Sequence, residues 1–155
     1  MADAPNWQLI NIVASQLAAI KIDGGYTCDA GDRVDTERPT LTDDAIFPRI
    51  AVGEETLTPT AQTVGAITRE LVVVAEGAIA TEVDTAERDA ANLKWDIGRA
   101  LGRMKPSAVT GIAGITVSKI EVKGDQPTLR TVGESFIAVQ VRMTITYTEQ
   151  LTPSA

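Results

Sequence analysis

The length, composition and charge of this chain set the first limits on its fold and function. With 155 residues, 44% of them hydrophobic and 23% charged, we expect one folded domain, residues 1–155, with short flexible tails at both ends. The formal net charge of -7 argues against nucleic acid as the main partner and against sequence-specific binding to it, because an acidic surface releases few phosphate counterions.

The residue types that are missing restrict the chemistry. Histidine is absent, which removes the commonest general base and zinc ligand, and Cys28 is the only cysteine, which excludes an intrachain disulfide. We predict Cys28 to be a small buried hydrophobe. No serine elbow and no phosphate-binding glycine loop occurs, so the sequence predicts no enzyme, no cofactor and no bound metal.

The sequence also bears on localisation. The aliphatic run from Leu71 to Ala75 is too short to span a bilayer, and the N-terminus lacks a secretory signal pattern. We therefore expect a soluble intracellular protein without a membrane partner.

The first half of the chain predicts one helix and two strands. Apolar residues at helical spacing, starting with Trp7 after Pro5 and Asn6, indicate a helix that ends near Ile20, followed by a strand that starts at Tyr26. The acidic stretch 29–44 is typical of an exposed loop. Phe47 to Gly53 indicates a second strand, and the Thr- and Glu-rich stretch 54–63 predicts the projecting tip of a long hairpin.

The second half predicts a strand, a helix and two strands. A strand through residues 67–79 precedes a helix that runs from a capping-box pattern at Asp84 to Met104, before Pro106. The alternation changes phase near Ser118, which indicates a bulged strand, and residues 137–148 alternate strictly, as in a half-buried strand. The order helix, strand, strand, strand, helix, strand, strand predicts an α+β fold: a mainly antiparallel sheet with both helices packed on one face.

Two acidic patterns suggest chemistry and also have simpler interpretations. Glu121 and Lys123 lie two residues apart on one strand face, as in metal-dependent nucleases, but an exposed ion pair accounts for the same pattern and is favoured. A second group of acidic residues could bind a hard cation through carboxylate oxygens, or it could form a solvated loop. We favour the loop, because the spacing of these residues differs from that of a calcium-binding loop. The members of this group are Asp29, Asp32, Asp35, Asp43 and Asp44.

Trp95 lies nearly opposite the apolar stripe of the second helix. An indole at that position needs cover, which either another part of the fold or a second subunit provides. The sequence leaves these alternatives open.

Taken together, the elements resemble a known family. The sequence carries an N-terminal amphipathic helix, the strand Phe47-Pro48-Arg49-Ile50-Ala51-Val52, the strand Arg69-Glu70-Leu71-Val72-Val73-Val74, a capped helix, a bulged strand and a long alternating final strand. From Asn6 to Glu149 this pattern resembles the phage tail terminator, or minor tail protein U-like, family of tailed bacteriophages.

The resemblance implies a structural virion protein that takes part in phage tail assembly and head-tail joining. Such a protein forms a homohexamer ring, caps the end of the tail tube, ends tube polymerisation and offers a surface for the head or neck. The implied partners are copies of the chain itself, the tail tube protein and a head completion or neck protein. The implied location is the neck-proximal end of the virion tail, after assembly in the host cytoplasm.

The hypothesised partner interface combines Trp95, the hairpin stretch and the polar face of the last strand. Its residues are Trp95, Glu54, Glu55, Leu57, Pro59, Gln140 and Arg142. The alternatives are another neck, connector or tail tube component and, in a different class, a metal-dependent nuclease that uses Glu121 and Lys123.

Overall fold

The computed structural model describes residues 3–37, 46–80, 84–125 and 136–151. These residues form two helices and five strands. The helices are α1 (Pro5–Leu17) and α2 (Ala86–Gly102), and the strands are β1 (Val34–Asp35), β2 (Arg49–Thr63), β3 (Ala66–Ala80), β4 (Ile115–Asp125) and β5 (Phe136–Gln150).

All five strands belong to one sheet. Their order is β1-β2-β3-β5-β4, with β1 parallel to β2 and every other neighbouring pair antiparallel. Both helices pack on the same side of this sheet, which we call the helix face, and the opposite side is the outer face. The predicted α+β class and element order are thus confirmed.

The centre of the core lies between β3, β5 and the helices. Alternate residues of the two strands are buried on the helix face, and they pair across the strands as Leu71 with Ile145 and Val73 with Met143. The strict alternation in the sequence arises because successive side chains of a strand point to opposite sides of the sheet.

Helix α2 lies close to β3 because Gly77 has no side chain. A Cβ atom built on Gly77 would lie 2.7 Å from Cδ2 of Leu93 and 3.0 Å from Cδ1 of Ile97. Both helix residues are buried, so any larger residue at position 77 would push the helix away from the sheet.

Helix α1 contains no charged residue between Pro5 and Leu17. It buries Leu9, Ile10, Val13 and Leu17, and Nε2 of Gln16 donates a hydrogen bond of 2.9 Å to the carbonyl oxygen of Ala100 in α2. Because Asn6 also donates to Glu54 of β2, α1 lies beside α2 and above the β2 side of the sheet.

The prediction of a strand that begins at Tyr26 is wrong. Two 3₁₀ turns, Ile22–Gly24 and Ala30–Asp32, occupy this region, and the strand is limited to Val34–Asp35. A Cβ atom at Gly31 would lie only 2.5 Å from the carbonyl oxygen of Ala18, so the backbone here packs tightly against the end of α1. That packing favours compact turns over an extended strand.

The hairpin tip predicted at residues 54–63 is misplaced. This segment is the second part of β2, paired with β3 from Arg49 to Thr63, and the turn lies at Val64 and Gly65. The corresponding end of β3 also pairs with β5, since Ala66 lies opposite Gln150, so the hairpin is part of the sheet. Its last residues are nevertheless exposed on both faces.

The bulge in β4 and the start of α2 were also predicted from the sequence. The register of β4 shifts between Val117 and Lys119, which confirms the predicted bulge, and shifts again between Val122 and Gly124. The N-cap of α2 is Thr85, one residue after the predicted Asp84; it makes no side-chain cap hydrogen bond, and its hydroxyl donates to the Asp89 carboxylate. None of the helices in the described ranges is both long and apolar enough to cross a membrane.

Candidate functional site

Trp95 is the exposed aromatic side chain of α2 and the main candidate for a contact site. Its side chain is 58% exposed, and it lines a shallow groove of about 320 Å³ with Gly98 of the same helix. The other wall is formed by Val122 and Gly124 of β4 and by Val141 of β5. The described residues leave most of the indole exposed, and its further cover, by another part of the fold or by a second subunit, stays a prediction.

Basic side chains lie beside this indole and beside the neighbouring Tyr26. The guanidinium carbon of Arg99 lies 4.3 Å from the ring centroid of Trp95 and 5.0 Å from that of Tyr26. Arg103 donates a hydrogen bond of 2.8 Å to the Tyr26 hydroxyl. Lys94 also lines the groove. The result is an aromatic and basic surface on a chain whose net charge is -7.

Three of the predicted interface residues meet on the outer face. Nε of Arg142 donates a hydrogen bond of 2.7 Å to Oε2 of Glu55, and Nε2 of Gln140 donates one of 2.8 Å to Oε2 of Glu76. The hydrogen bond from its side chain to Glu55 raises the pKa of Arg142 above its ordinary value. These contacts tie β2, β3 and β5 together across the polar side of the sheet.

The remaining predicted residues lie elsewhere. Oε1 of Glu54 points to the helix face, where it accepts a hydrogen bond of 2.7 Å from Asn6. Leu57 packs partly buried against the core, while Pro59 is exposed near the end of β2. Six of the seven residues divide between the two faces, so the seven do not form one surface: Trp95, Glu54 and Leu57 belong to the helix face, and Glu55, Gln140 and Arg142 to the outer face.

Glu121 and Lys123 form an exposed ion pair. Oε2 of Glu121 lies 3.1 Å from Nζ of Lys119 and 3.3 Å from Nζ of Lys123. Hydrogen bonds from Lys119 and Lys123 lower the pKa of Glu121. The simpler interpretation of this pattern fits the geometry, since the carboxylate has two ammonium partners on the outer face of β4.

The acidic stretch contains separate ion pairs and hydrogen bonds. Asp32 lies 3.3 Å from Nζ of Lys21, Asp35 binds Arg49, and Asp29 accepts a hydrogen bond from the amide of Ile22. Asp43 and Asp44 lie outside the described residues. Within the described ranges, no three Asp, Glu or Cys side chains are grouped so that they could hold a metal ion.

Asp96 is a buried carboxylate that sequence reasoning missed. Its side chain is fully buried, and Oδ2 accepts hydrogen bonds from the amide of Thr27, at 2.9 Å, and from the Thr27 hydroxyl. Oδ1 lies 3.8 Å from Nη1 of Arg99 and accepts no hydrogen bond from a described group. Asp96 thereby fixes the loop after α1 to the middle of α2.

The same loop holds Cys28 at the edge of a cleft of about 460 Å³ between α2 and the end of β3. Burial, with a smaller contribution from the charge of Asp96, raises the pKa of the Cys28 thiol to about 11. The thiol is therefore protonated at neutral pH, as expected for a structural cysteine and not for a nucleophile.

We expect Asp96→Ala to destabilise the fold by about 2 kcal/mol, because the amide and hydroxyl of Thr27 lose the charged acceptor that holds this exposed loop residue against α2. The measurement is urea unfolding followed by circular dichroism. The exposed Asp23→Ala serves as the matched control and should change stability by less than about 0.5 kcal/mol. Equal midpoints for the two variants would contradict the anchoring role.

No protein-family model matches the sequence, and no curated protein matches it.

Proposed function

We infer that this chain is a structural protein of a phage tail, which assembles into a ring and caps the end of the tail tube. The observation that carries the proposal is the order of elements, α-β-β-β-α-β-β from α1 to β5. The tail terminator family, which the sequence resembles from Asn6 to Glu149, has this order.

The contacts of the polar side chains also favour assembly over catalysis. Glu121 binds two lysines, Asp96 binds Thr27, and the Cys28 thiol is held protonated by burial. Each of these groups thus has a structural role. Trp95 is the only exposed aromatic side chain in the described ranges and has Arg99 beside it, and aromatic and arginine side chains are enriched at the centres of protein interfaces.

In the proposed mechanism, a closed ring, expected to be a hexamer, binds the last ring of tube subunits and covers the surface on which the next one would add. Its opposite surface receives a head completion or neck protein. A head-to-tail contact between copies closes into a ring when a whole number of subunit rotations adds up to one full turn. The ring acts at the neck-proximal end of the tail, after assembly in the host cytoplasm.

Electron microscopy of tail tubes assembled with and without the protein tests this function. We expect tubes of uniform length with an additional ring at one end when the protein is present, and tubes of variable length without it. Tubes of unchanged length that carry no terminal ring would reject the capping function. An additional ring found only on the head portal would instead favour the alternative of a neck or connector component.

A further inference from the structure

Two strand edges on opposite sides of the sheet lack a partner among the described residues. β4 is the last strand on one side. On the other side, the two residues of β1 pair only with Ile50 and Ala51, which leaves β2 open from Val52 to Thr63. Open edges present unpaired backbone N–H and C=O groups that can bind another strand.

The directions of the strands allow a second copy to continue the sheet. Because β2, β3, β5 and β4 alternate in direction, β4 runs opposite to β2. A copy placed next to β4 with its helices on the same side would therefore present its β2 in antiparallel orientation. This contact joins two different edges, so it is of the head-to-tail kind that generates rings.

The two edges also match in their side chains. Between its bulges, β4 has a regular run from Lys119 to Val122, and β2 has one from Thr56 to Pro59. On the helix face these runs carry Ile120, Val122 and Leu57, all only partly buried and packed at the border of the core. Antiparallel pairing would bring Leu57 of one copy against the two β4 residues of the next and bury all three.

The surfaces above the two edges support the same contact. Trp95 lies above the edge strand β4 and its neighbour β5, since it lines one groove with Val122, Gly124 and Val141. Above the β2 edge lies α1, whose 13 residues carry no charge, including the exposed Asn11 and Ser15. An uncharged helix surface is typical of the centre of an interface, and an aromatic side chain of a neighbouring copy could pack on it without burying a charge.

We propose that copies of this chain associate head to tail, with β4 and Trp95 of one copy against β2 and α1 of the next. The proposal rests on the ring of the proposed function and specifies its subunit contact. The sheet then continues from copy to copy, and α1 of each neighbour covers an indole that the described fold leaves exposed. The bulges in both edges limit pairing to short regular runs.

Cysteine cross-linking between two variants tests the contact. In a Cys28→Ser background, Lys119→Cys and Thr58→Cys place thiols on the exposed outer side of β4 and β2. The two proteins are mixed at high concentration, treated with a short bismaleimide and separated on a denaturing gel. We expect a cross-linked dimer in the mixture, at least tenfold more than in either variant alone, and a ladder of higher oligomers from the double variant.

The control mixture pairs Lys119→Cys with Ser107→Cys, an exposed residue outside the sheet, and should give no dimer above background. Absence of the dimer in the test mixture, or equal dimer in Lys119→Cys alone, would overturn the head-to-tail contact. The cross-linking experiment tests the subunit contact independently of the capping function. Tubes that carry a terminal ring without this cross-link would refute only the contact, whereas a cross-link without capped tubes would refute only the function.

Discussion

Ile97→Asp is expected to abolish folding. Ile97 is fully buried, and its Cδ1 atom lies against the position where α2 crosses Gly77 of β3. The substitution removes about 3 kcal/mol of apolar packing and adds the cost of an unpaired buried carboxylate, several kcal/mol more. Because domains of this size are stable by about 5–15 kcal/mol, the sum is comparable with the whole stability.

Thermal unfolding followed by circular dichroism measures this effect. We expect no cooperative transition for Ile97→Asp, whereas the control Ile97→Val should unfold cooperatively and lose about 1 kcal/mol. If the aspartate variant unfolds cooperatively at a temperature close to that of the unchanged protein, Ile97 of α2 is not a core residue that the fold requires.

The core of the fold can be predicted from sequence because its signals are local and periodic. In β3 and β5, apolar residues alternate with other residues, and in α2 they recur every three or four positions. Each pattern indicates which side of the element is buried. The bulge in β4 is equally visible, because one inserted residue between Val117 and Lys119 reverses the phase of the alternation that follows.

Sequence reasoning fails where tertiary packing decides the local structure. The region after α1 forms 3₁₀ turns because Gly31 packs against the carbonyl oxygen of Ala18, a contact that no periodicity reports. The stretch 54–63 has the composition of a hairpin tip because it contains Pro59, yet proline is tolerated on an edge strand, and β-branched threonines suit a strand.

The candidate site is predictable only in part. Trp95 can be found because its place on the helix opposes the apolar stripe, and the structure leaves it exposed. The assignment of Glu54 and Glu55 to one surface is not reliable, because adjacent residues of a strand point to opposite faces. Asp96 gives no signal of its own, since its partner Thr27 is 69 residues away in the chain.

Trp95→Ala is expected to separate assembly from folding. The indole is 58% exposed, and its main described partner is the Arg99 side chain, so its loss should cost at most about 1 kcal/mol of stability. In the proposed ring the same side chain is covered by a neighbour. Removal of such a central aromatic contact typically costs about 2 kcal/mol or more, which is roughly a thirtyfold loss of affinity at every subunit contact.

Two measurements on the same preparation distinguish these effects. The melting temperature of Trp95→Ala should fall by no more than about 4 °C, while electron microscopy should show tubes of variable length without a terminal ring. Trp95→Phe, which keeps an aromatic ring at this position, should retain most of the capping. A Trp95→Ala protein that does not fold would make the tryptophan a structural residue, and one that folds and still caps tubes would remove it from the interface.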